Sequence, residues 1–433
     1  MRRKAYRGVR VNDVDAHALG QQRPGEEVVV GVDVGKLDLR VVVRWADAEF
    51  ERPWRVINPY EIGVLVQRLQ VLAQGRQMRV ALEPSGTYGD ALRQALHDAG
   101  LRVQRISPKA AHDYAEVFDG APSQHDGKDA AVVAELAATG KGKDWVYRER
   151  DLWTQELVYW VQGLENERRI WMMWMGQLEG LLGRHWPEAT RILKLSSGTL
   201  LRVLATYGGP AGLAADAEAA QRLRQWGGRL LSPEKLEALL QSARQTVGVR
   251  QDRWTRDALR EFAEQALQAR QKYRHKQRQL RRLAADEPVL QAQGKVVGVP
   301  TACVLWVSTG DPRGFDSGPA YRKAMGLNLT ERSSGRYQGK LRISKRGSAR
   351  SRQWLYFAAL RQIQQGGVRS WYEAKKARDG QQAKRAVVAV MRKLALALYR
   401  VGAHGEKFES RRLFGRRGKP AASGSSSSSG QRR

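Results

Sequence analysis

The feature that most constrains this chain is a pair of β-rich segments at residues 28–44, with the sequence VVVGVDVGKLDLRVVVR. The first segment is an apolar run that reaches Asp33, and the second, 39–44, is rich in β-branched residues. This pattern predicts two strands joined by a turn at Gly35. A carboxylate at the end of an apolar strand is costly unless a cation pairs with it. Asp33 is therefore either a turn residue or a ligand of a cation, which could be a lysine, a metal or a phosphate-bound metal.

Strand and helix signals alternate through residues 27–148. They predict helices over 62–73, 88–99 and 123–139, and further strands over 78–82 and 101–106. Such alternation is typical of an α/β layer architecture.

Two heptad series lie in the middle of the chain. The first spans 157–182 and is interrupted only by Arg168, and the second spans 259–283 and is interrupted only by Lys276. Both predict coiled-coil-like helices. Two arrangements stay open at this point, pairing between subunits and packing within one helical domain.

The signals divide the chain into five predicted parts. These are a basic, poorly ordered N-terminal extension (1–26), an α/β domain (27–148), a helical coiled-coil region (149–285), a third unit with helices and a predicted hairpin (286–410) and a disordered basic Gly/Ser tail (411–433).

The charge balance predicts the class of partner. The chain has 75 Lys+Arg against 44 Asp+Glu, a formal net charge of +31, which favours nucleic acid and salt-dependent binding. No apolar run reaches the roughly 18 residues that span a bilayer, so no membrane partner is expected. The single cysteine, Cys303, excludes an internal disulfide and a thiolate zinc cluster. A reducing cytoplasm is the expected location.

Four acids stand out by their positions. Asp33 and Glu83 end predicted strands, and Asp126 and Asp129 share one face of a predicted helix. Clustered carboxylates repel one another without metal, whereas two Mg²⁺ ions roughly 3.5–4 Å apart can stabilise both oxygens of a phosphoryl transfer. An RNase H-like fold places its acids in this order, on the first strand, at the end of a later strand and on a helix.

Each acid also has an ordinary structural explanation. Asp33 can be a turn residue, and Glu83 can simply end a strand before a proline. Asp126 can cap its helix, and Asp129 can favour the helix dipole. Gly127-Lys128, between the two aspartates, is expected in an exposed turn.

A basic segment with two adjacent serines lies at 331–350. Ser333 and Ser334 stand directly before Gly335, and the segment carries one acid. A serine becomes a nucleophile only when its proton is taken or its alkoxide is stabilised. The alternative is that the serines shape a turn while the basic residues bind phosphates. The candidate phosphate-binding residues are Arg332, Arg336, Lys340, Arg342, Lys345, Arg346 and Arg350.

Together these motifs resemble the DEDD transposases, which are insertion-sequence recombinases. The matching stretches include VVVGVDVGKLDL, VALEPSGTYGDAL, QHDGKDAAVVAEL and ERSSGRYQGKLRISKRG, and the resemblance covers roughly residues 27–410. It implies an α/β RNase H-like (RuvC-like) N-terminal domain, a central helical coiled-coil region and a mainly α C-terminal transposase domain with a catalytic serine.

The resemblance also implies residue roles. Asp33, Glu83, Asp126 and Asp129 would hold Mg²⁺, with two ions per site. Ser334, directly before the glycine, would attack a DNA phosphate and form a covalent serine–DNA intermediate, with Ser333 as the fallback.

Partners follow from the same resemblance. They are double-stranded DNA, as element ends or circular donor and as target, and a structured noncoding guide RNA encoded by the element. The subunits would form dimers that assemble into tetramers in the synaptic complex, in the bacterial cytoplasm at the nucleoid.

Three other functions stay open. A Holliday-junction-type nuclease would cut by water and would not need Ser334. An actin-like ATPase would use DVGKLD as a phosphate hairpin, but the chain lacks a second Asp-x-Gly-Gly loop. A non-catalytic nucleic-acid-binding protein would have lost the metal site, although all four acids are present.

Overall fold

The structure is a computed structural model, and it describes residues 8–23, 25–84, 86–119, 125–145, 151–331 and 341–414. The chain divides into two compact units, Met1–Glu149 and Arg150–Arg433.

The first unit is built on one mixed sheet flanked by helices. Its elements are β1 (Val9–Arg10), α1 (Ala16–Gln22), β2 (Glu27–Val34), β3 (Asp38–Trp45), β4 (Trp54–Ile57), α2 (Ile62–Ala73), β5 (Gln77–Leu82), α3 (Asp90–Asp98), β6 (Arg102–Arg105), α4 (Pro108–Asp119), α5 (Asp126–Ala138) and β7 (Lys143–Asp144). Within the described residues, the strand order is β1-β4-β3-β2-β5-β6-β7.

The strand directions identify the fold of this unit. β3 is antiparallel to both β2 and β4, whereas β5 pairs parallel with β2, and β6 pairs parallel with β5. An antiparallel meander extended by parallel strands on the far side of its first strand is the arrangement of an RNase H-like domain. The predicted fold class of the N-terminal domain is therefore confirmed.

Side-chain alternation along β2 separates the two cores of this unit. Val28, Val30 and Val32 pack with α2 and α3 on one face of the sheet, whereas Val29 packs with α4 and α5 on the other. Because successive side chains of a strand point to opposite faces, Gly31 and Asp33 share the α5 face.

The expectation of a poorly ordered N-terminus is wrong for residues 8–23. This stretch forms β1, a 3₁₀ turn and α1, and β1 pairs with β4. Val11 and Ala16 are fully buried in the α2-side core. A few apolar residues among polar ones thus anchor the segment. Strand β4, in which buried and exposed residues alternate over four positions, was also not predicted from the sequence.

The second unit is helical. Its elements are α6 (Leu152–His185), α7 (Ala189–Ile192), α8 (Gly198–Tyr207), α9 (Pro210–Ala215), α10 (Ala219–Gly227), α11 (Pro233–Arg244), α12 (Arg253–Leu283), α13 (Pro288–Val297), α14 (Val299–Thr309), α15 (Gly318–Ala324), β8 (Leu329–Thr330), β9 (Arg342–Ile343), α16 (Ala349–Ile363), α17 (Gly366–Arg378), α18 (Ala383–Ala403) and α19 (Ser410–Phe414).

The two heptad helices, α6 and α12, pack against each other in antiparallel orientation. Trp160 contacts His275, whereas Trp174, further along α6, contacts Phe262, which is earlier in α12. One end of the pair lies in the core formed by α13–α18, and the other end lies in a core with α7–α11. The heptad faces are therefore used within the chain, which answers the question left open by the sequence in favour of intrachain packing.

The two polar interruptions of the heptads are explained by cation–π contacts. The Arg168 guanidinium lies 4.9 Å from the centroid of the Phe357 ring. The Lys276 ammonium lies 4.6 Å from the Trp160 centroid. Both cations are half-buried, and their charges meet aromatic faces. None of the described helices is long and apolar enough to cross a membrane.

Candidate active site

Helix α5 lies unusually close to strand β2, and Gly31 makes this possible. A Cβ atom at Gly31 would lie 2.0 Å from the Ala130 carbonyl oxygen and 2.5 Å from the Ala134 nitrogen. No larger residue fits there without moving the helix. The contact sets the height of α5 above Asp33, two residues further along the strand. An isolated glycine inside a strand pattern was the sequence signal for it.

Two ion pairs hold α5 along strand β3. Arg44 Nε lies 2.6 Å from Glu135 Oε2, and Arg40 Nε lies 3.7 Å from Asp126 Oδ2. Arg40 and Arg44 are four residues apart on the strand, and their partners are nine residues apart on the helix. Both separations are about 13 Å, so each arginine lies opposite its acid. Val42, between the two arginines, packs against the alanines of α5. The packing and the close, half-buried Arg44–Glu135 pair fix α5 over the sheet, whereas the longer and more exposed Arg40–Asp126 pair adds little.

Asp33 and Glu83 lie side by side on the same face. The parallel pairing of β2 with β5 ends at Val32 opposite Leu82, and each acid comes one residue later. Adjacent parallel strands point their corresponding side chains in the same direction. The sheet thus presents two carboxylates toward the helix that carries Asp126 and Asp129.

The carboxylates interact electrostatically, as their pKa values show. Burial, followed by the charges of Asp129, Asp126 and Glu83, raises the pKa of Asp33 to about 6. Burial and the charge of Asp129 raise the pKa of Glu83. Burial and the charge of Asp126 raise the pKa of Asp129, against an opposite effect of Lys128 and His125. All four predicted acids are therefore neighbours. A bound divalent cation would offset the repulsion between their negative charges.

The chemistry of this donor set fits a hard divalent cation, since carboxylate oxygens are the ligands that Mg²⁺ prefers. However, among the described residues, no three His, Cys, Asp or Glu side chains are arranged so that they could hold a metal ion. One reason is visible at Asp126, whose carboxylate turns to Arg40. A cation would have to compete with this arginine and draw the acids together by side-chain rotation.

Lys128 does not lie in an exposed turn, contrary to the expectation from the sequence. It belongs to the first turn of α5 and is only 1% exposed. Helix α5 begins at Asp126, so the turn expected there is already helix and packs against the sheet. A buried cation thus stands beside Asp129 and favours its ionised form.

Asn58 joins the two loops that follow Asp33 and Glu83. Its side-chain Nδ2 donates hydrogen bonds to the Gly35 carbonyl at 3.0 Å and to the Tyr88 carbonyl at 3.1 Å, and its backbone N–H donates to the Leu37 carbonyl. Asn58 is only 8% exposed. Sequence reasoning missed this residue, and no motif marks it, because its partners are backbone carbonyls distant in sequence.

The serine segment lies largely outside the described residues. This holds for Ser333 and Ser334 and for the predicted phosphate ligands Arg332, Arg336 and Lys340. The described stems on either side pair as β8 and β9, with Leu329 opposite Ile343, which confirms the predicted hairpin.

The remaining predicted phosphate ligands lie beyond the hairpin. Arg342 belongs to β9, and Lys345 and Arg346 are exposed in the loop that follows. Arg350, in the first turn of α16, is ion-paired with Glu165 at 3.0 Å. Three of these four cations are thus on the surface, and one is already neutralised.

Comparison with known proteins gives two family matches. A DEDD transposase model of the IS110 type matches residues 30–161, which include all four acids. A model of the IS116/IS110/IS902 transposase family matches residues 292–373, which include both serines. No curated protein matches the chain.

Among solved structures, the chain is similar to T. thermophilus RuvC in complex with a Holliday junction substrate. The identity is 20% over 28% of this chain and 100% of that chain, with a TM-score of 0.23. The fold assignment rests on the strand order rather than on this likeness. With the two family matches in the expected order along one sequence, the chain belongs to the DEDD transposases of the IS110 type, which are DNA transposases and recombinases.

Proposed function

We propose that this transposase joins element ends to target DNA by Mg²⁺-dependent strand cleavage and exchange through a covalent serine–DNA intermediate, guided by a structured RNA encoded by the element. The observation that carries the proposal is the group of four interacting carboxylates on the α5 face of an RNase H-like sheet. The family match over residues 292–373, which include both serines, supports the serine part of the proposal.

In this proposal, Asp33, Glu83, Asp126 and Asp129 hold two Mg²⁺ ions. When bound, such ions stabilise the charge on the entering and leaving oxygens of a phosphoryl transfer. The protein's own part is positioning. Gly31 lets α5 approach the sheet, the Arg44–Glu135 pair fixes the helix, and Asn58 ties the two acid-bearing loops together.

Ser334 is the proposed nucleophile, with Ser333 as the fallback. A bond forms between the serine oxygen and the DNA phosphorus, and the bond from phosphorus to one deoxyribose oxygen breaks. That oxygen leaves as a hydroxyl and takes up a proton, while the serine loses one. The phosphodiester energy is conserved in the serine ester, so a second deoxyribose hydroxyl can reverse the reaction and join a new strand.

The nucleic-acid partners are supported by charge. A net charge of +31 is suited to neutralising phosphates along DNA duplexes and a folded RNA rather than at a few base contacts. Subunit pairing is proposed through surfaces other than the heptad faces. Helix α6 offers exposed apolar side chains for this, including Tyr159, Ile170, Met172 and Met173.

The experiment is a strand-exchange assay with purified full-length protein, Mg²⁺, donor and target DNA, and RNA transcribed from the DNA that flanks the gene. We expect joined products with the wild-type protein and none when RNA is omitted. Ser334→Ala should abolish joining. If Ser334→Ala still cuts DNA at the wild-type rate, the enzyme is a junction nuclease that uses water and the serine proposal fails.

A further inference from the structure

A cavity of about 550 Å³ lies at the base of the β8–β9 hairpin, where α17 and α18 meet it. Its walls come from both stems of the serine segment, at Leu329 and at Leu341. In sequence, Leu329 precedes Ser334 by only a few residues and Leu341 follows it closely. The size is within the range of roughly 300–1,000 Å³ that is usual for sites that enclose a small molecule.

The cavity combines strong positive charge with an apolar surface. The apolar lining consists of Leu329, Leu341, Ile343, Val388 and Ala389. The cations are Arg342, Lys345, Lys375, Lys384, Arg385 and Arg392. One acid, Asp379, lines the cavity as well, and it is ion-paired with Lys375.

Most of the positive charge in the cavity lacks a counter-ion within the protein. Among the residues that the structure describes, Arg342, Lys345, Lys384 and Arg392 form no ion pair with a carboxylate. The buried Arg392 Nε has no hydrogen-bond partner there either. Burial and the neighbouring Arg322 lower the pKa of Arg392. A buried N–H without an acceptor is costly, and together with the unpaired cations around it this favours an anion from outside the protein.

The undescribed segments nearest in sequence to the cavity residues contain no acid that could supply that anion. Residues 332–340 contain three Lys/Arg and no acid, and residues 415–433 are also basic and without an acid. An occupant that complements the lining therefore carries both negative charge and an apolar surface.

We propose that this cavity binds one unstacked nucleotide of a DNA strand, with its base against the apolar lining and its phosphate among the arginines and lysines. In a duplex the base faces are hidden in the stack, and only the phosphates would find partners here. An unstacked base exposes its faces to apolar side chains and to the plane of an arginine. The inference rests on the proposed function only for the identity of the strand, which would be the one presented to Ser334.

The test is binding of full-length protein to fluorescently labelled oligonucleotides of about 12 nucleotides. The probes are a single-stranded DNA, the same strand as a duplex, the same strand with abasic sites, and a single-stranded RNA of the same sequence. The cavity variants are Leu341→Ser and Arg392→Gln. The matched controls are Leu230→Ser, at a leucine that is 94% exposed, and Arg229→Gln, at an exposed arginine.

We expect both cavity variants to bind single-stranded DNA about tenfold more weakly, with duplex binding reduced no more than in the controls. Abasic DNA should bind the wild type more weakly than intact DNA, and this difference should disappear in Leu341→Ser. A thermal unfolding curve that matches the wild type shows that a variant is folded. If one of the two cavity variants does not fold, the other carries the test.

Three results would overturn the inference. The first is an equal loss of single-stranded and duplex binding, which means that the cavity adds only charge. The second is a loss confined to RNA, and the third is no loss in either variant. Failure of strand exchange with intact oligonucleotide binding would instead contradict the proposed function and leave the nucleotide site standing.

Discussion

The acid face of the first unit, which carries Asp33, Glu83, Asp126 and Asp129, has an excess of negative charge. The cavity of the second unit has an excess of positive charge. On the acid face, carboxylates crowd one another and raise the pKa of Asp33 to about 6. In the cavity, Arg342, Lys384 and Arg392 lack carboxylate partners among the described residues. The first region is short of a cation and the second is short of an anion. Each excess of charge supports one of the two proposals, a metal ion at the acid face and a nucleotide phosphate in the cavity.

The regions also differ in how tightly the scaffold fixes them. Asp33 and Glu83 lie at strand ends, and the position of the helix that carries the other two acids is set mainly by Gly31 and the Arg44–Glu135 pair. On either side of the segment that carries Ser334, the described stems β8 and β9 pair over only two residues each. The contacts around the acids therefore fix their positions more closely than this short pairing fixes the two ends of the serine segment.

The largest effect on activity is expected from removing a metal ligand. Asp33→Asn should lower strand exchange by about a thousandfold or more, since the charge stabilisation by the bound ions amounts to several kcal/mol. The assay is strand exchange at saturating Mg²⁺. Asp13→Asn, at an exposed aspartate, is the matched control and should retain full activity. Retained activity in Asp33→Asn would show that the acid face is not the metal site.

The same substitution should stabilise the metal-free protein in a pH-dependent way. Because the pKa of Asp33 is raised from 3.8 to about 6 in the fold, its ionised form opposes folding above that pH. Asp33→Asn should therefore be more stable than wild type at pH 8 in EDTA. The difference should shrink as the pH falls through 6 and vanish below about 3.8, where both states are protonated. Urea unfolding at several pH values measures this, and a constant difference would contradict it.

The next effect is steric. Gly31→Ala should push α5 away from β2, since the added carbon would lie 2.0 Å from a carbonyl oxygen. We expect a loss of about 1–3 kcal/mol in the free energy of unfolding and a loss of activity greater than the stability change explains. Gly63→Ala is the control, because nothing lies within 4 Å of a Cβ at that position. Similar behaviour of the two variants would show that close helix approach is not needed.

A smaller effect is expected at Asn58. Asn58→Ala leaves the Gly35 and Tyr88 carbonyls without this donor, at a cost of about 1–3 kcal/mol. If Asn58 positions the acid-bearing loops, the Mg²⁺ concentration for half-maximal activity should rise as well. Asn166→Ala, on the exposed surface of α6, should change neither quantity. Lower stability with unchanged Mg²⁺ dependence would make Asn58 a purely structural residue.

The smallest effect is expected at Arg40. Arg40→Gln removes the cation that now pairs with Asp126 at 3.7 Å, a long pair with a largely exposed carboxylate, so the change should be modest. Because the arginine competes with metal, Mg²⁺ affinity measured by calorimetry should rise by a few-fold. A decrease in affinity would mean that Arg40 helps to position Asp126.

The sequence predicted the elements that positional patterns define. The bounds of α2 match the prediction at both ends, and the four acids fall where strand ends and a helix face place them. It could not predict Asn58 or the Arg44–Glu135 pair, since these depend on contacts between distant segments. The prediction for Lys128 was wrong, because Gly127-Lys128 was assigned to an exposed turn, whereas the first turn of α5 is packed against the sheet.

The most direct test of the account is a search for the covalent intermediate. Wild-type protein, Mg²⁺, the flanking RNA and nicked end DNA are combined, resolved on a denaturing gel, and any protein–DNA adduct is digested and mapped by mass spectrometry. The account predicts an adduct on Ser334 that is lost in Ser334→Ala and in Asp33→Asn. An adduct that persists at another residue in Ser334→Ala, or cleavage with no adduct at all, would contradict it.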